Sequence, residues 1–244
     1  MKVLGIDVGG SGIKGAPVDL ETGALIKKRF RLETPQPATP EAVSGTIGAV
    51  IKHFNWKEKI GVGFPAAIKH GIVSTAANID DSWIGVNITK LINNQTNCDT
   101  HAVNDADAAG MAELSYGSAR RETGVVMVIT VGTGLGTALF SNGVLVPNTE
   151  LGHILIHNMD AELYASDAVR KKGELSWKKW AKRFNEYLFE MEKLIWPDLI
   201  IIGGGISKKK EKFFPFLSTR AKITTAKLQN EAGIIGAALS VYID

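Results

Sequence analysis

Cysteine is almost absent from the 244-residue chain: Cys98 stands alone, which excludes a disulfide framework and any metal centre built from several cysteines. Neither sign of charge dominates, with 28 basic side chains against 25 acidic ones leaving +3. That is too little to drive non-specific binding to nucleic acid by phosphate neutralisation, so no nucleic-acid partner is expected and any basic chemistry must be local. Long apolar runs are missing as well. None approaches the ~18 residues that a membrane span needs, and Asp7 interrupts residues 1–6 before a secretory apolar region can form. The expectation is a soluble cytoplasmic protein without a membrane partner. Hydrophobic residues are plentiful at 45%, enough to bury a core as one large domain or two small ones, and disorder is excluded.

Glycine, with 26 residues, punctuates the chain. Residues 3–6 form an apolar run, the segment around Gly9, Gly10 and Gly12 follows, and residues 13–20 form a second run, which reads as strand, glycine turn, strand. After Glu21-Thr22-Gly23, residues 24–30 read as the third strand of a meander. Thr39 before Pro40 and Glu41 marks the start of a helix that runs to about Phe54. Residues 59–64 read as a strand, 68–73 as a short hairpin, 87–95 as a helix capped by Asn87, and 101–103 as a brief strand. An alanine-rich helix over 106–116 stops at Gly117. Residues 125–146 then repeat the grammar of residues 3–26 around Gly132-Thr133-Gly134, which predicts an internally duplicated fold with two lobes. Trp177, Trp180, Phe184, Leu188 and Met191 have helical spacing over 176–193. Residues 199–202 form a buried strand that enters Gly203-Gly204-Gly205, and residues 234–241 read as a closing helix.

Backbone N–H groups freed by glycine can approach an anion closely. No stretch supplies a Walker A loop, and Gly132-Thr133-Gly134-Leu135-Gly136 sits between two strands, where a dinucleotide fingerprint would need a helix. Three glycine sites remain, each at the end of an apolar strand. Converging in one cleft they would clamp a polyphosphate chain, with Asp7 placed to hold magnesium and Lys14 to pair with phosphate; singly, each is an ordinary tight turn. Asn104-Asp105 lies at a strand end before a helix, where a carboxylate suits a general base, and where Asn and Asp are equally ordinary helix caps. Glu150 and His153 offer a carboxylate and an imidazole at close range. His157 follows His153 by four residues, but residues 154–156 read as strand, so the two share no helical face and a metal site is disfavoured. Lys208, Lys209 and Lys210 follow the third glycine site, either as a solvated charge run or as a contact for a polyanion.

Taken in order, these motifs resemble the ROK family of sugar kinases, over essentially the whole chain. Asp7-Val8-Gly9-Gly10-Ser11-Gly12-Ile13-Lys14 resembles the family's first phosphate motif, Thr130-Val131-Gly132-Thr133-Gly134 the second, and Ile202-Gly203-Gly204-Gly205 the adenosine-side motif. Asn104-Asp105-Ala106-Asp107 is similar to the segment that carries a sugar-binding asparagine and the catalytic aspartate. Glu150, His153 and Glu162 match the remaining sugar ligands, with Asn78 a further candidate. Most members follow the Glu-x-Gly-His motif with a zinc-binding cysteine cluster; this chain has no cysteine after Cys98, so no zinc is expected. Leu175-Ser176-Trp177-Lys178-Lys179-Trp180 and Trp196-Pro197-Asp198-Leu199 resemble the polyphosphate-using branch.

The resemblance implies an α/β, two-lobed, ribonuclease-H-like or actin-like architecture with duplicated β-meander phosphate loops. The lobes expected are residues 1–105, with a helix at about 231–244 packing back on them, and 106–230. The activity implied is phosphorylation of glucose at its 6-hydroxyl by inorganic polyphosphate and/or ATP, with Asp105 as base, Mg2+ as cofactor and a homodimer as the assembly. The alternatives are an ATP-dependent glucokinase, another hexose or amino-sugar kinase, or a non-catalytic sugar sensor. A DNA-binding regulator is disfavoured, since the first meander begins at Val3.

Overall fold

Glycine at 9, 10 and 12 folds the N-terminal segment back on itself. In the computed structural model, which describes residues 1–242, β1 (Lys2–Gly9) and β2 (Gly12–Asp19) pair antiparallel, from Lys2 opposite Asp19 to Gly9 opposite Gly12. The third strand expected over residues 24–30 is two strands instead. β3 (Ala24–Leu25) pairs with Val18 and Asp19, whereas β4 (Phe30–Leu32) pairs with Ile13, Lys14 and Gly15. Exposed Lys27, Lys28 and Arg29 fill the gap, where charged side chains keep their hydration.

Helix α1 (Pro40–His53) starts as expected, the Thr39 side chain accepting the Ala42 N–H and Pro40 opening the first turn. Next come β5 (Ile60–Phe64), the hairpin of β6 (Ile68–Lys69) and β7 (Ile72–Val73), α2 (Ile88–Thr96), β8 (Thr100–Asn104) and α3 (Asp105–Tyr116). β5 and β8 extend β1 in parallel, so the sheet runs β3-β2-β1-β5-β8 with β4 beside β2. Leu4, Ile6, Ile60 and Val62 are fully buried against Val43, Ile47 and Val50 of α1, each such side chain contributing about 1.5–3 kcal/mol.

A second compact unit spans residues 113–230, its boundary falling inside α3 between Ala112 and Glu113. β9 (Val125–Val131), β10 (Leu135–Ser141) and β11 (Val144–Val146) form its meander. β12 (Leu155–Ile156) and β13 (Met159–Asp160) make a small hairpin, followed by α4 (Ala161–Ala165), α5 (Asp167–Lys172), α6 (Trp177–Ile195), β14 (Leu199–Gly203) and β15 (Lys222–Thr225). The sheet order β11-β10-β9-β14-β15 repeats the plan of the first unit: a meander whose first strand is extended by parallel partners. The duplication read from the glycine turns is therefore present in the topology. Ser176 caps α6, whose buried Trp180, Phe184, Leu188 and Met191 follow the expected spacing; Trp180 stacks on Phe184 with ring centroids 5.0 Å apart.

The last helix, α7 (Ala232–Ser240), belongs to the first unit and packs on β1 and β5. It approaches so closely that a Cβ on Gly5 or Gly61 would run into the carbonyl oxygens of Ile234 and Ala237, which explains glycine inside two buried strands. It begins two residues before the helix read over 234–241. Of the segment expected at about 231–244, residues 243 and 244 lie outside the described residues.

Candidate active site

In open α/β sheets the loops beyond the carboxyl ends of parallel strands are where ligands bind. In the first unit that edge is formed by the ends of β1, β5 and β8, and it presents the turn from Gly9 to Gly12 and the Asn104-Asp105 junction. Strand register sets Asp7 opposite Lys14 and Lys14 opposite Arg31, so these side chains share one face of the sheet. Lys14 Nζ lies 2.9 Å from Asp7 Oδ2. Gly63 is the next position along this row, opposite Asp7. A Cβ there would have Asp105 Cα at 3.7 Å and the Gly233 carbonyl oxygen at 3.8 Å, and a Cβ on Gly233 would meet the Asp7 carboxylate. The structure thus brings Asp7, Lys14 and the start of α3 at Asp105 onto one face.

Two side chains that the motifs do not single out hold the first turn. Thr34 Oγ1 donates to the Gly9 carbonyl at 2.5 Å, and Arg31 Nη2 donates to the Ser11 carbonyl at 2.5 Å. Their contacts span 25 and 20 residues of sequence, and no local pattern announces them. Asn78, on an exposed loop, joins Gly9, Gly10 and Thr34 in lining a cavity of about 280 Å³. Asn104 is buried and realises the capping alternative: Oδ1 accepts the N–H groups of Ala106 at 2.8 Å and Asp107 at 3.1 Å, while Nδ2 donates to the Ala66 carbonyl at 3.3 Å. Asp105 is the first residue of the helix so capped.

In the second unit the other two glycine sites lie together. Gly203 pairs with Thr130 in the parallel ladder, and Gly204, at φ 76°, leaves no room for a Cβ against the Val131 backbone. Gly132, Thr133 and Gly134 follow directly, and the turn is tied to α4: Glu162 Oε2 accepts the Leu135 N–H at 3.0 Å and fills the space a Cβ on Gly134 would need. His153 stands between two carboxylates, its Nδ1 2.8 Å from Asp160 Oδ2 and its Nε2 3.8 Å from Glu150 Oε2. Asp160 escaped the sequence reading, although as the N-cap of α4, accepting the Glu162 N–H at 2.9 Å, it sits where a capping aspartate is common.

The hydrogen bond to Asp160 raises the pKa of His153, with the Asp160, Glu162 and Glu150 charges adding to it and burial opposing. Burial pushes the Glu150 carboxyl up, the Glu162 charge adding and the His153 charge opposing. His157 bonds instead to Glu186 at 2.9 Å, so the two histidines have separate partners. Among the described residues no group of three or more His, Cys, Asp or Glu could hold a metal ion. Lys208, Lys209 and Lys210 are exposed on the 3-10 stretch Gly205–Lys212 that follows the third glycine site. Lys209 and Lys212 each place Nζ 5.9 Å from the Trp177 ring centroid, and the Arg170 guanidinium lies 4.0 Å from it.

The fold and these motifs define a class. The ROK family profile matches residues 3–164, and the chain belongs to the ROK family. It is similar to the polyphosphate glucokinase of Mycobacterium tuberculosis (strain CDC 1551 / Oshkosh), at 48% identity over 242 residues that cover 99% of this chain and 91% of that one. The inorganic polyphosphate/ATP-glucomannokinase of Arthrobacter sp. strain KM superposes with a TM-score of 0.96 at 44% identity over 98% of each chain. A ROK glucokinase from Streptomyces griseus, solved with glucose and AMPPNP, shares the fold at 23% identity and a TM-score of 0.83 over 98% of each chain. The architecture is that of the ROK sugar kinases, the duplicated actin-like α/β fold expected from the sequence. No helix among the described residues is long and apolar enough to cross a membrane.

Proposed function

We propose that this protein phosphorylates glucose at the 6-hydroxyl with inorganic polyphosphate, alone or alongside ATP, as donor. The observation that carries this reading is the 48% identity to a polyphosphate glucokinase along 99% of the chain. The structural likeness to a polyphosphate/ATP-glucomannokinase supports it. In the reaction Asp105 accepts the proton of the sugar 6-hydroxyl as O6 bonds to the terminal phosphorus. The bridging P–O bond breaks, and polyphosphate shorter by one unit, or ADP, departs. Asn104, Glu150, His153 and Glu162 hold sugar hydroxyls, and Asn78 adds a contact from its loop. Ser11 and the amides of Gly9, Gly10 and Gly12, with Lys14, receive the terminal phosphoryl group, and Thr130, Gly132, Thr133 and Gly134 are further phosphate-binding residues of the reading. Gly203, Gly204 and Gly205 complete the proposed phosphate-binding set. Phosphoryl transfer leaves little covalent work to the protein, so positioning and charge neutralisation supply most of the rate.

Magnesium belongs to this reading. It takes one or two carboxylates and completes its shell with phosphate and water oxygens, which suits a lone carboxylate such as Asp7, already set beside Lys14 at 2.9 Å. Bound there with the donor, the ion would neutralise phosphate charge. Lys208, Lys209 and Lys210 extend a basic surface from the third glycine site, with Trp177 flanked by Arg170, Lys209 and Lys212, which supports a contact with long polyphosphate chains. Exposed Leu155, Met159 and Leu163 on neighbouring elements support a homodimer, and the buried free thiol of Cys98 suits a cytoplasmic location.

The test is formation of glucose 6-phosphate by the purified protein with magnesium, with inorganic polyphosphate and ATP offered separately. Activity with polyphosphate alone or in preference bears the reading out. Activity with ATP alone discards the donor, and activity with neither discards the reaction.

A further inference from the structure

We infer that Arg31 is a phosphate-binding catalytic residue of the first glycine turn, an assignment that rests on the phosphoryl-transfer reading above. Asp7, Lys14 and Arg31 occupy directly opposed positions on β1, β2 and β4, so their side chains line up on one face. Within that row the Asp7 carboxylate is taken by Lys14 at 2.9 Å. Arg31 makes no ion pair among the described residues, and the net positive charge of the row therefore sits on its guanidinium. One hydrogen bond ties the group to the turn. Nη2 donates to the Ser11 carbonyl at 2.5 Å, and the guanidinium lies so close to Gly12 that a Cβ there would fall 2.6 Å from Cζ. A side chain at position 12 would shift the guanidinium from this position.

A guanidinium carries five N–H donors in a planar fork, and the Ser11 carbonyl occupies one of its nitrogens. The rest of the side chain is exposed, so the remaining donors are available to an anion held by the same turn. A fork of this shape matches two oxygens of a phosphoryl group. As the bridging P–O bond breaks, negative charge grows on the phosphate oxygens, and a cation already anchored beside them stabilises that charge without reorganising. The terminal phosphoryl group is common to polyphosphate and ATP, so Arg31 acts on both donors alike.

The test compares wild type, Arg31→Gln, Arg31→Lys and Arg31→Ala in glucose 6-phosphate formation, with each donor. Arg31→Gln is expected to lower kcat/KM for the donor about 100-fold with polyphosphate and with ATP, in line with loss of one transition-state contact. The KM for glucose stays within about twofold, because ground-state sugar binding is untouched. Arg31→Lys regains part of the rate, and added guanidinium ion restores turnover of Arg31→Ala in a saturable way, which a purely structural role would not produce. A donor kcat/KM within about threefold of wild type, or a loss matched by equal loss of glucose affinity and a lower Tm, overturns the assignment and leaves Arg31 as a prop of the turn. Wild-type inactivity with both donors overturns the phosphoryl-transfer reading and this assignment with it. Wild-type activity with Arg31→Gln unchanged overturns the assignment alone.

Discussion

The two glycine turns occupy the same place in the same strand plan, yet opposite chemistry holds them. The first is gripped through its carbonyls, Thr34 donating to Gly9 and Arg31 to Ser11, beside a row of charged side chains. The second is gripped through an amide, the Glu162 carboxylate accepting from Leu135, and its neighbour across the sheet is the buried glycine strand end at Gly203. One of the two donors at the first turn, Arg31, brings a positive charge, whereas the acceptor at the second, Glu162, is a carboxylate that brings a negative one. In a duplicated fold the backbone plan was kept while the charge was divided: Arg31 stands at the first turn, and Glu162 ties the second to the Glu150 and His153 cluster.

The largest effect expected from this division is at Asp105. Asp105→Asn should lower kcat by a factor on the order of 10²–10⁴, the usual worth of a general base, while calorimetry shows glucose affinity within several-fold of wild type. An active variant would move the chemistry away from the face shared by Asp7 and Lys14.

Next in size is a contrast in stability. Gly204→Ala places a Cβ against the Val131 backbone at a positive φ and should cost at least about 2 kcal/mol in urea unfolding. Gly10→Ala has open space around it and should stay within about 0.5 kcal/mol, so that any activity it loses reflects the ligand. Equal destabilisation by both would erase the distinction between a packed turn and an open one.

A smaller, sharper effect concerns His153. Asp160→Asn should bring its raised pKa down towards the ordinary histidine value, which a titration of the imidazole NMR signals reads directly. Because the folded-state pKa lies above the unfolded one, the stabilisation from this pair is fully present below the unfolded value and is lost as pH rises through the folded one. The stability gap between wild type and variant should therefore close towards alkaline pH, and a gap independent of pH would remove the charge from the argument. Smallest of all, replacing Lys208, Lys209 and Lys210 by glutamine should weaken use of long polyphosphate several-fold and flatten its salt dependence, with ATP use unchanged; equal losses with both donors would contradict a polymer contact.

Much of this was legible in the residues, for identifiable reasons. Glycine between apolar runs marks both meanders, and the spacing of Trp180, Phe184, Leu188 and Met191 marks α6, because these signals are local. The segment from Leu155 to Lys172 was nearly silent: its strands have two residues each and its helices five and six, too short for any period to show. β15 was missed for the same reason, with four residues and no alternation of burial. At the candidate site the motif residues stood out, but their supports did not. Arg31, Thr34 and Asp160 act through contacts that only strand register and turns create, and Asn104 spends its Oδ1 on capping α3, a role its sequence position allowed but did not decide.

The most direct test of the central claim, that the first turn receives the donor's phosphates, is a titration of ¹⁵N-labelled protein with inorganic tripolyphosphate in the absence of glucose. The account predicts saturable shifts of the Gly9, Gly10, Ser11 and Gly12 amides, accompanied by Thr133 and Gly134. Shifts confined to the lysines from 208 to 212, or none at either turn, would contradict it.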